Sequence, residues 1–338
     1  MKVTIILTSY NHEKYIAESI ESVLAQTYKA FEFIIVDDFS TDGTWEIIQK
    51  YKNKYPDIIT IRNEYNWGSG VIANIVTNYA HGDYIAIHHS DDIWENNKLE
   101  KQVEFLEKNP EYVAVFTNAQ AIDDFGENYI VDGFYHDLFN VENRTRYEWL
   151  RYFFENGNCL CHPSVLIKKS VYEADGFFKN GLRQIPDFVK WIDICKKYDI
   201  YVLPDRLVKF RVHSEGKNTS GMRSDTQVRS TVELFWMLQE YKTITDKYEF
   251  FKIFPELQEE FENKEFVSEY AWAKVCTKQG VQPYVQLFGE TLLFEALNDK
   301  QKASILKKQY SYTVKDFTKK TGTFDIFGVL PPNFEQTG

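Results

Sequence analysis

Short apolar runs alternate with helical repeats through the first third of the chain. Val3–Leu7 is apolar apart from Thr4 and predicts a buried strand. Ile16, Ile20, Val23 and Leu24 then recur at helical spacing. Phe33–Val36 predicts a second strand, and Trp45, Ile48 and Tyr51 mark a second helix. Ile58–Ile61, Tyr84–Ile87 and Val113–Phe116 predict three more strands. Helical stretches separate them, over roughly Val71–Tyr79 and around Leu99, Val103 and Leu106. Strands alternating with helices predict an α/β fold, a mainly parallel sheet flanked by helices. Ligands of such sheets sit beyond the carboxyl ends of the strands.

Residues 118–220 are less regular. They carry a strand-like Ser164–Ile167, a turn at Gly176, a helix near Asp187–Lys197, and strands at Tyr201–Leu203 and Leu207–Val212. After Gly221 the pattern turns helical, with Leu234, Met237, Leu238 and Tyr241 on one face, and the next strand signal is Phe324–Leu330. The expected division is a sheet domain over 1–221 and a mainly helical appendage over 222–338.

Charge then narrows the partners. Among 338 residues, 39 basic against 50 acidic side chains give a net charge of -11. That excludes a basic phosphate-reading surface, and with it a nucleic-acid partner. The appendage carries 15 basic and 17 acidic residues, so it lacks the net excess that anionic lipid attracts. Membrane contact is expected to be peripheral at most. The appendage aromatics Phe250, Phe251, Phe254, Tyr270 and Trp272 look exposed, which favours packing or a homodimer through these helices. No apolar run matches a signal peptide or the ~18 residues of a membrane span. Four cysteines without a C-x-x-C spacing point to a reducing, cytoplasmic setting. Cys159, Cys161 and His162 lie close together but match no standard zinc spacing.

The predicted strand ends are polar. Strand 1 ends in Thr8-Ser9-Tyr10-Asn11, strand 2 in Asp37-Asp38-Phe39-Ser40-Thr41-Asp42-Gly43-Thr44, and strand 4 in His88-His89-Ser90-Asp91-Asp92. Carboxylates crowded on one sheet edge repel, and a divalent cation offsets the repulsion. Mg²⁺ and Mn²⁺ favour oxygen ligands and share them with substrate phosphates, so a nucleotide substrate is expected. Asp42 reads better as a turn and helix-start residue. Gly68-Ser69-Gly70-Val71-Ile72-Ala73, with Asp91 further on, matches the dinucleotide fingerprint. It sits at the third strand–helix unit, however, and five residues past its strand, where the fingerprint requires a tight turn.

Together these segments resemble the family 2 inverting nucleotide-sugar glycosyltransferases of the GT-A fold. Thr8-Ser9-Tyr10-Asn11 resembles that family's P-x-Y-N. Val36 to Thr44 resembles its V-D-D-G-S-T-D-G-T, departing at Phe39. Asn66-x-Gly68 with Asn74 resembles its N-x-G…N segment, and His89-Ser90-Asp91-Asp92 falls at its D-x-D-D. Ile185-Pro186-Asp187-Phe188-x-x-Trp191 resembles the motif opening the helix that carries the base. The match spans about residues 3–215. It implies that Thr8, Tyr10, Asn11 and Asn74 line the nucleotide pocket and that Asp38 accepts from base or ribose. It implies Asp91 as ligand of Mn²⁺ or Mg²⁺, Asp92 on the donor-sugar side, and Asp187 as general base, a role compatible with a helix cap. His89 replaces the first Asp of D-x-D, which puts the ribose contact in doubt.

Phe210-Arg211-Val212-His213 closes the match, with Arg211 a candidate phosphate partner and His213 a candidate metal ligand or phosphate donor. His162 fits an acceptor-facing or a structural role, and Trp67 and Trp94 fit sugar stacking or core packing. The expected reaction moves a sugar, from UDP-hexose or UDP-N-acetylhexosamine, to a hydroxyl of a glycan or lipid-linked acceptor of bacterial surface polysaccharide. Two alternatives are a sugar nucleotidyltransferase, which would need a Gly-rich basic loop after strand 1, and a non-catalytic sugar-nucleotide-binding module.

Overall fold

The computed structural model describes residues 1–329 apart from 69–70, 73, 75–76, 131–132, 175–177, 215–217, 219–220, 222, 278–280 and 324. The Gly176 turn, Phe324, Leu330 and parts of the glycine-rich segment therefore lie outside the described residues. Contacts divide the chain into two compact units, Met1–Thr226 and Gln227–Gly338.

The first unit is built on one sheet. Its strands are β1 (Val3–Ser9), β2 (Glu32–Asp37), β3 (Ile59–Arg62), β4 (Tyr84–His89), β5 (Ile93–Trp94), β6 (Ala114–Ile122), β7 (Leu166–Lys168) and β8 (Ile200–Arg211). Their order across the sheet is β3-β2-β1-β4-β7-β6-β8-β5. β1 runs parallel to both β2 and β4, and β6 parallel to β8. β7 is antiparallel to both its neighbours, β4 and β6. The apolar run of β1 is continuous because both its faces are covered. Val3, Ile5 and Leu7 join Ile16 and Ile20 of helix α1 (Ile16–Leu24), Ile48 of α2 (Thr44–Lys54), and Leu99, Val103 and Leu106 of α3 (Lys98–Lys108) in one core.

Register positions the site. Ser9 pairs with Asp37, and Thr8 with His89, so β1, β2 and β4 end side by side. The loops that follow share one edge. β5 pairs with the end of β8, Ile93 opposite Lys209, which brings the Asp91-Asp92 loop beside Arg211.

Several expected boundaries move. β4 runs two residues past Ile87, and β6 runs six past Phe116, through a shift in pairing at Thr117–Ala119. The two strands expected at 201–203 and 207–212 are one strand, β8, with Pro204 inside it. Ser164 belongs to a short 3₁₀ turn, His162–Ser164, ahead of β7. Residues 325–329 form a turn, not a strand, with Gly328 N–H bonded to Asp325 C=O.

The second unit holds α6 (Ser224–Leu238), α7 (Lys247–Ile253), α8 (Ser268–Cys276), α9 (Pro283–Asn298), α10 (Lys300–Tyr310) and α11 (Val314–Thr321). The aromatics that looked exposed are its core. Phe250, Phe254 and Trp272 are buried against one another, with ring centroids 5.1–5.6 Å apart. The Trp272 indole N–H donates to Ile244 C=O at 3.1 Å. α8 and α9 touch at Gly289, where a Cβ would stand 2.5 Å from Cys276 Cβ. Gly289→Ala is expected to lower unfolding free energy by about 1–3 kcal/mol, since neither helix can give without disturbing the packed core. Urea unfolding followed by circular dichroism measures it, and parent-like stability would contradict the close approach.

Candidate functional site

The first two loops are clipped together before any ligand arrives. Asn11 takes a left-handed conformation, φ 52°, which Asn tolerates better than most residues. Its N–H donates to Ser40 Oγ at 2.9 Å, and its Oδ1 accepts from Thr41 N–H at 2.8 Å. His12 N–H donates to Thr44 Oγ1, and Asp42 accepts from Glu13 and Thr44 N–H. Asp42 thus acts at the start of α2, as its turn-like sequence suggested. Phe39 also sits at positive φ, 65°, a conformation that costs a non-glycine L-residue roughly 1–2 kcal/mol. The resembled motif has glycine there, so Phe39 holds a backbone conformation that glycine adopts without that cost.

Asp38 anchors the third loop. Its carboxylate is only 1% exposed and accepts from Asn63 Nδ2 (2.8 Å), Trp67 N–H (2.9 Å) and Gly68 N–H (2.9 Å). Gly68 lies at φ 85°, so glycine is required where the backbone turns into this carboxylate. Three of about four lone-pair positions are filled, leaving one for a further donor. The glycine-rich segment here serves Asp38, which accounts for Gly68 without a dinucleotide. Asn74 is engaged with the 178–180 segment: its Nδ2 donates to Phe178 C=O at 2.8 Å, and its Oδ1 accepts Phe178 N–H at 2.7 Å. Its amide is spent on the chain and not turned to a ligand. Trp67 is 40% exposed and packs on Tyr65, ring centroids 4.0 Å apart. Trp94 is core, its indole N–H donating to Pro163 C=O and its ring beside His88. Thr8 is partly buried at the end of β1, and Tyr10 beyond it is exposed.

The centre of the site is Asp91. His213 Nε2 lies 3.0 Å from Asp91 Oδ2, and His12 Nδ1 lies 3.9 Å from Oδ1. Burial opposes its ionisation, but His12 and His213 prevail and hold the carboxyl far below the usual range. His213 Nδ1 faces Asp124 Oδ1 at 2.7 Å, which also accepts from Tyr15 OH, while Asp124 Oδ2 accepts from Ser214 N–H. Burial would lower the His213 pKa; the two carboxylates outweigh it and raise it. Asp92 is buried. One oxygen accepts Arg211 N–H at 2.8 Å, and the other, Oδ2, has no hydrogen-bond partner, with His89 Nδ1 3.7 Å away. Burial, then the charge of Asp91, push its carboxyl well up. It backs the cluster and does not open toward a sugar.

Asp187 stands in the first turn of α5 (Pro186–Cys195), after Pro186, and accepts from Asn158 Nδ2 at 3.1 Å; α5 packs on α4 (Arg146–Asn156) through Phe188 and Phe153. Burial raises its pKa, against the opposing pull of Phe188 N–H and of His89. Burial pushes the His89 imidazole down to about 4, with His162 beside it acting in the same direction and Asp91 and Asp187 opposing. His89 therefore lies within the electrostatic reach of both the Asp91 cluster and Asp187. His162, pushed to about 4 by burial, packs edge-on to His89 and leaves Nε2 without a partner.

Arg211 corrects an expectation. It is 1% exposed, and its guanidinium is committed to the chain: Nε donates to Asp91 C=O (2.8 Å), Nη1 to Asp123 C=O (2.7 Å) and Nη2 to Glu18 Oε2 (2.9 Å). Its face lies over the Tyr15 ring at 4.6 Å. A fork held this way fixes loops and has no free edge for phosphate. His12, Tyr15 and Asp124 are the residues that sequence reading missed. Asp124 follows the true end of β6, six residues beyond the expected one. His12 directly follows the Thr8–Asn11 motif.

The donor set suits a divalent ion. Asp91 joins His12 and His213 in one group of potential ligands, and His89 and Asp92 in another, each with its ligand atoms within 4.8 Å. The orphaned Asp92 Oδ2 and the Asp124 carboxylate behind His213 are further signs, since metal-binding imidazoles commonly donate their second N–H to a carboxylate.

The model of glycosyl transferase family 2 matches residues 4–175. The chain belongs to this family. An uncharacterized glycosyltransferase of Methanocaldococcus jannaschii is 35% identical over 213 residues, 62% of this chain and 70% of that one. The Escherichia coli UDP-Glc:alpha-D-GlcNAc-diphosphoundecaprenol beta-1,3-glucosyltransferase WfaP is 45% identical over 105 residues, 31% of this chain and 41% of that one. The solved structure of Staphylococcus aureus TarS residues 1–349 in complex with UDP-GlcNAc shares the fold, with TM-score 0.59 and 19% identity over 95% of this chain and 92% of that one. The fold is GT-A-like, as the motifs implied. Among the described residues, no helix is long and apolar enough to cross a membrane.

Arg211→Lys keeps the charge but loses the fork. Expected is a stability loss of about 2 kcal/mol or more, together with weakened nucleotide binding, because charged hydrogen bonds of this kind contribute about 1.5–3 kcal/mol each. Unfolding midpoints and UDP titration check it. A variant that binds UDP like the parent would show that the clamp does not set the site.

Proposed function

We propose that the chain is an inverting glycosyltransferase. It takes a sugar from a UDP-linked hexose or N-acetylhexosamine and passes it to a hydroxyl of a glycan or lipid-linked acceptor in surface polysaccharide synthesis. The observation that carries this reading is the Asp91, His12 and His213 cluster at the strand ends of a family 2 chain, with Asp187 held by Asn158 in the first turn of its helix. The His imidazoles hold Asp91 ionised, whereas burial raises the pKa of Asp187. Environments that push two carboxyls apart are what separate charge-holding from proton-transferring roles. The UDP-linked donor and diphosphoundecaprenol-linked acceptor in the name of the E. coli relative support this donor and acceptor, as does the UDP-GlcNAc held by TarS.

In this reading Asp91 and His213 would hold Mn²⁺ or Mg²⁺, which would supply positive charge against the leaving diphosphate. Asp187 Oδ accepts the proton of the acceptor hydroxyl. The acceptor oxygen bonds to the anomeric carbon as the bond to the diphosphate oxygen breaks, and UDP leaves with the electron pair. One displacement inverts the centre. Asn158 orients the Asp187 carboxylate, and burial keeps it basic. Thr8, Tyr10, Asn11 and Asp38 border the nucleotide. The four cysteines, all free and buried, fit a cytoplasmic chain that touches the inner membrane face at most.

Asp187→Asn is expected to lower transfer by ~10²–10⁴-fold while UDP binding and folding survive. Near-parent transfer would remove Asp187 as base. The base must be ionised, and its pKa is raised. The rate should therefore fall on acidification at a pH above the ordinary aspartate range of about 3.9, and that limb should vanish in Asp187→Asn. A pH–rate profile of kcat/KM reads this. Asp91→Ala is expected to abolish the stabilisation by Mn²⁺ of the UDP complex, measured by thermal shift across UDP-sugars with and without the ion.

A further inference from the structure

We infer that His12 is a third protein ligand of the divalent ion, forming with Asp91 and His213 a two-imidazole, one-carboxylate set that prefers transition-metal ions such as Mn²⁺ or Co²⁺ over Mg²⁺. This rests on the metal-dependent reading above and deepens it.

The three residues come from three loops at one sheet edge: His12 after β1, Asp91 after β4 and His213 after β8. An octahedral ion with bonds of about 2.1 Å separates neighbouring ligands by about 3 Å and opposite ones by about 4.2 Å. The His213–Asp91 separation of 3.0 Å and the His12–Asp91 separation of 3.9 Å fall within that span. The His213 ring is held from behind. Asp124 faces His213 Nδ1, which turns Nε2 toward Asp91. Ser90 Oγ lies 2.8 Å from His12 Nδ1, the contact that the ion replaces. Tyr15 lies against both rings, with centroids 6.1 Å from His12 and 5.0 Å from His213.

The second grouping, His89 with Asp91 and Asp92, offers less. An ion that also holds substrate oxygens needs an open side. The Asp92 side chain is 1% exposed, against 27% for His12. One Asp92 oxygen is also tied to Arg211 N–H. Three protein ligands leave three octahedral positions for diphosphate oxygens and water. The sequence places His89 at the first Asp of the D-x-D pattern, so the edge gains an imidazole where that pattern has a carboxylate. Mg²⁺ favours carboxylate, carbonyl and water ligands, whereas imidazole favours ions later in the transition series.

The test titrates Mn²⁺ and Mg²⁺ by calorimetry into the full chain with UDP present, and records pulsed electron paramagnetic resonance of the Mn²⁺ complex for ¹⁴N coupling. Expected for the parent is an affinity for Mn²⁺ at least about tenfold above that for Mg²⁺, with coupling from two imidazoles. His12→Ala and His12→Gln are expected to lose about tenfold or more in Mn²⁺ affinity and one imidazole's coupling, with melting temperatures near the parent's. Unchanged Mn²⁺ affinity and ¹⁴N coupling in these variants would make His12 a charge partner only and overturn the inference. The metal-dependent reading would survive that result if Asp91→Ala still abolished binding. A parent complex with coupling from a single imidazole overturns the inference without any variant. A parent that binds neither ion beside UDP overturns both.

Discussion

The Arg211 guanidinium is the contact on which the site depends. It reaches Glu18 on α1, Asp91 C=O in the loop after β4, and Asp123 C=O at the end of β6, while the Arg211 backbone N–H is taken by Asp92. Segments 88 to 193 residues away in sequence are fixed by one planar fork. Five donors in rigid geometry are what a single side chain needs to do this, and a lysine has no such plane. With the loops fixed, Asp91 and Asp124 stand on either side of His213, and the alternation carboxylate–imidazole–carboxylate satisfies groups whose burial would otherwise be costly.

The same edge explains how two carboxyls of one type come to differ. Asp91 sits between imidazoles that hold its pKa far down; Asp187 sits in the first turn of a helix, where burial raises its pKa. His89 lies within reach of both and is kept neutral by burial. A neutral imidazole both donates and accepts, so substituting His for Asp in the D-x-D pattern changes the charge of the edge without removing its hydrogen-bonding capacity. The departure at Phe39 is different in kind. It accepts backbone strain at a position where glycine would be free of it, and the surrounding clips from Asn11, Ser40 and Thr41 hold the turn regardless.

The second unit is held by a different interaction, edge-to-face and tilted aromatic contacts. Phe250, Phe254 and Trp272 fill a core that short helices alone could not. From sequence these residues looked like a surface, because α7 and α8 are too short to give a clear apolar face. Burial came from how several short helices meet, with Gly289 allowing the closest approach.

What the sequence by itself determined was the alternation of elements and, through it, the edge where chemistry would gather. Apolar runs specify strands because the backbone must be buried on both faces, and the polar residues that end those runs can only lie beyond the sheet. Thr8, Asp38, Asp91 and Asp187 were all legible on that basis or from motif resemblance. The tertiary structure decided which of the polar residues gather at the candidate site and which are committed to the chain. Arg211, Asn74 and Asp92 carry the same charges and amides as ligand-binding residues, yet they bond to backbone and side-chain groups from distant parts of the chain. Asp124 and His12 entered the site because β6 continues through irregular pairing and because β1 ends beside β4. A local pattern does not encode such long-range coincidences, since they depend on how strands pair and not on the period within any one of them.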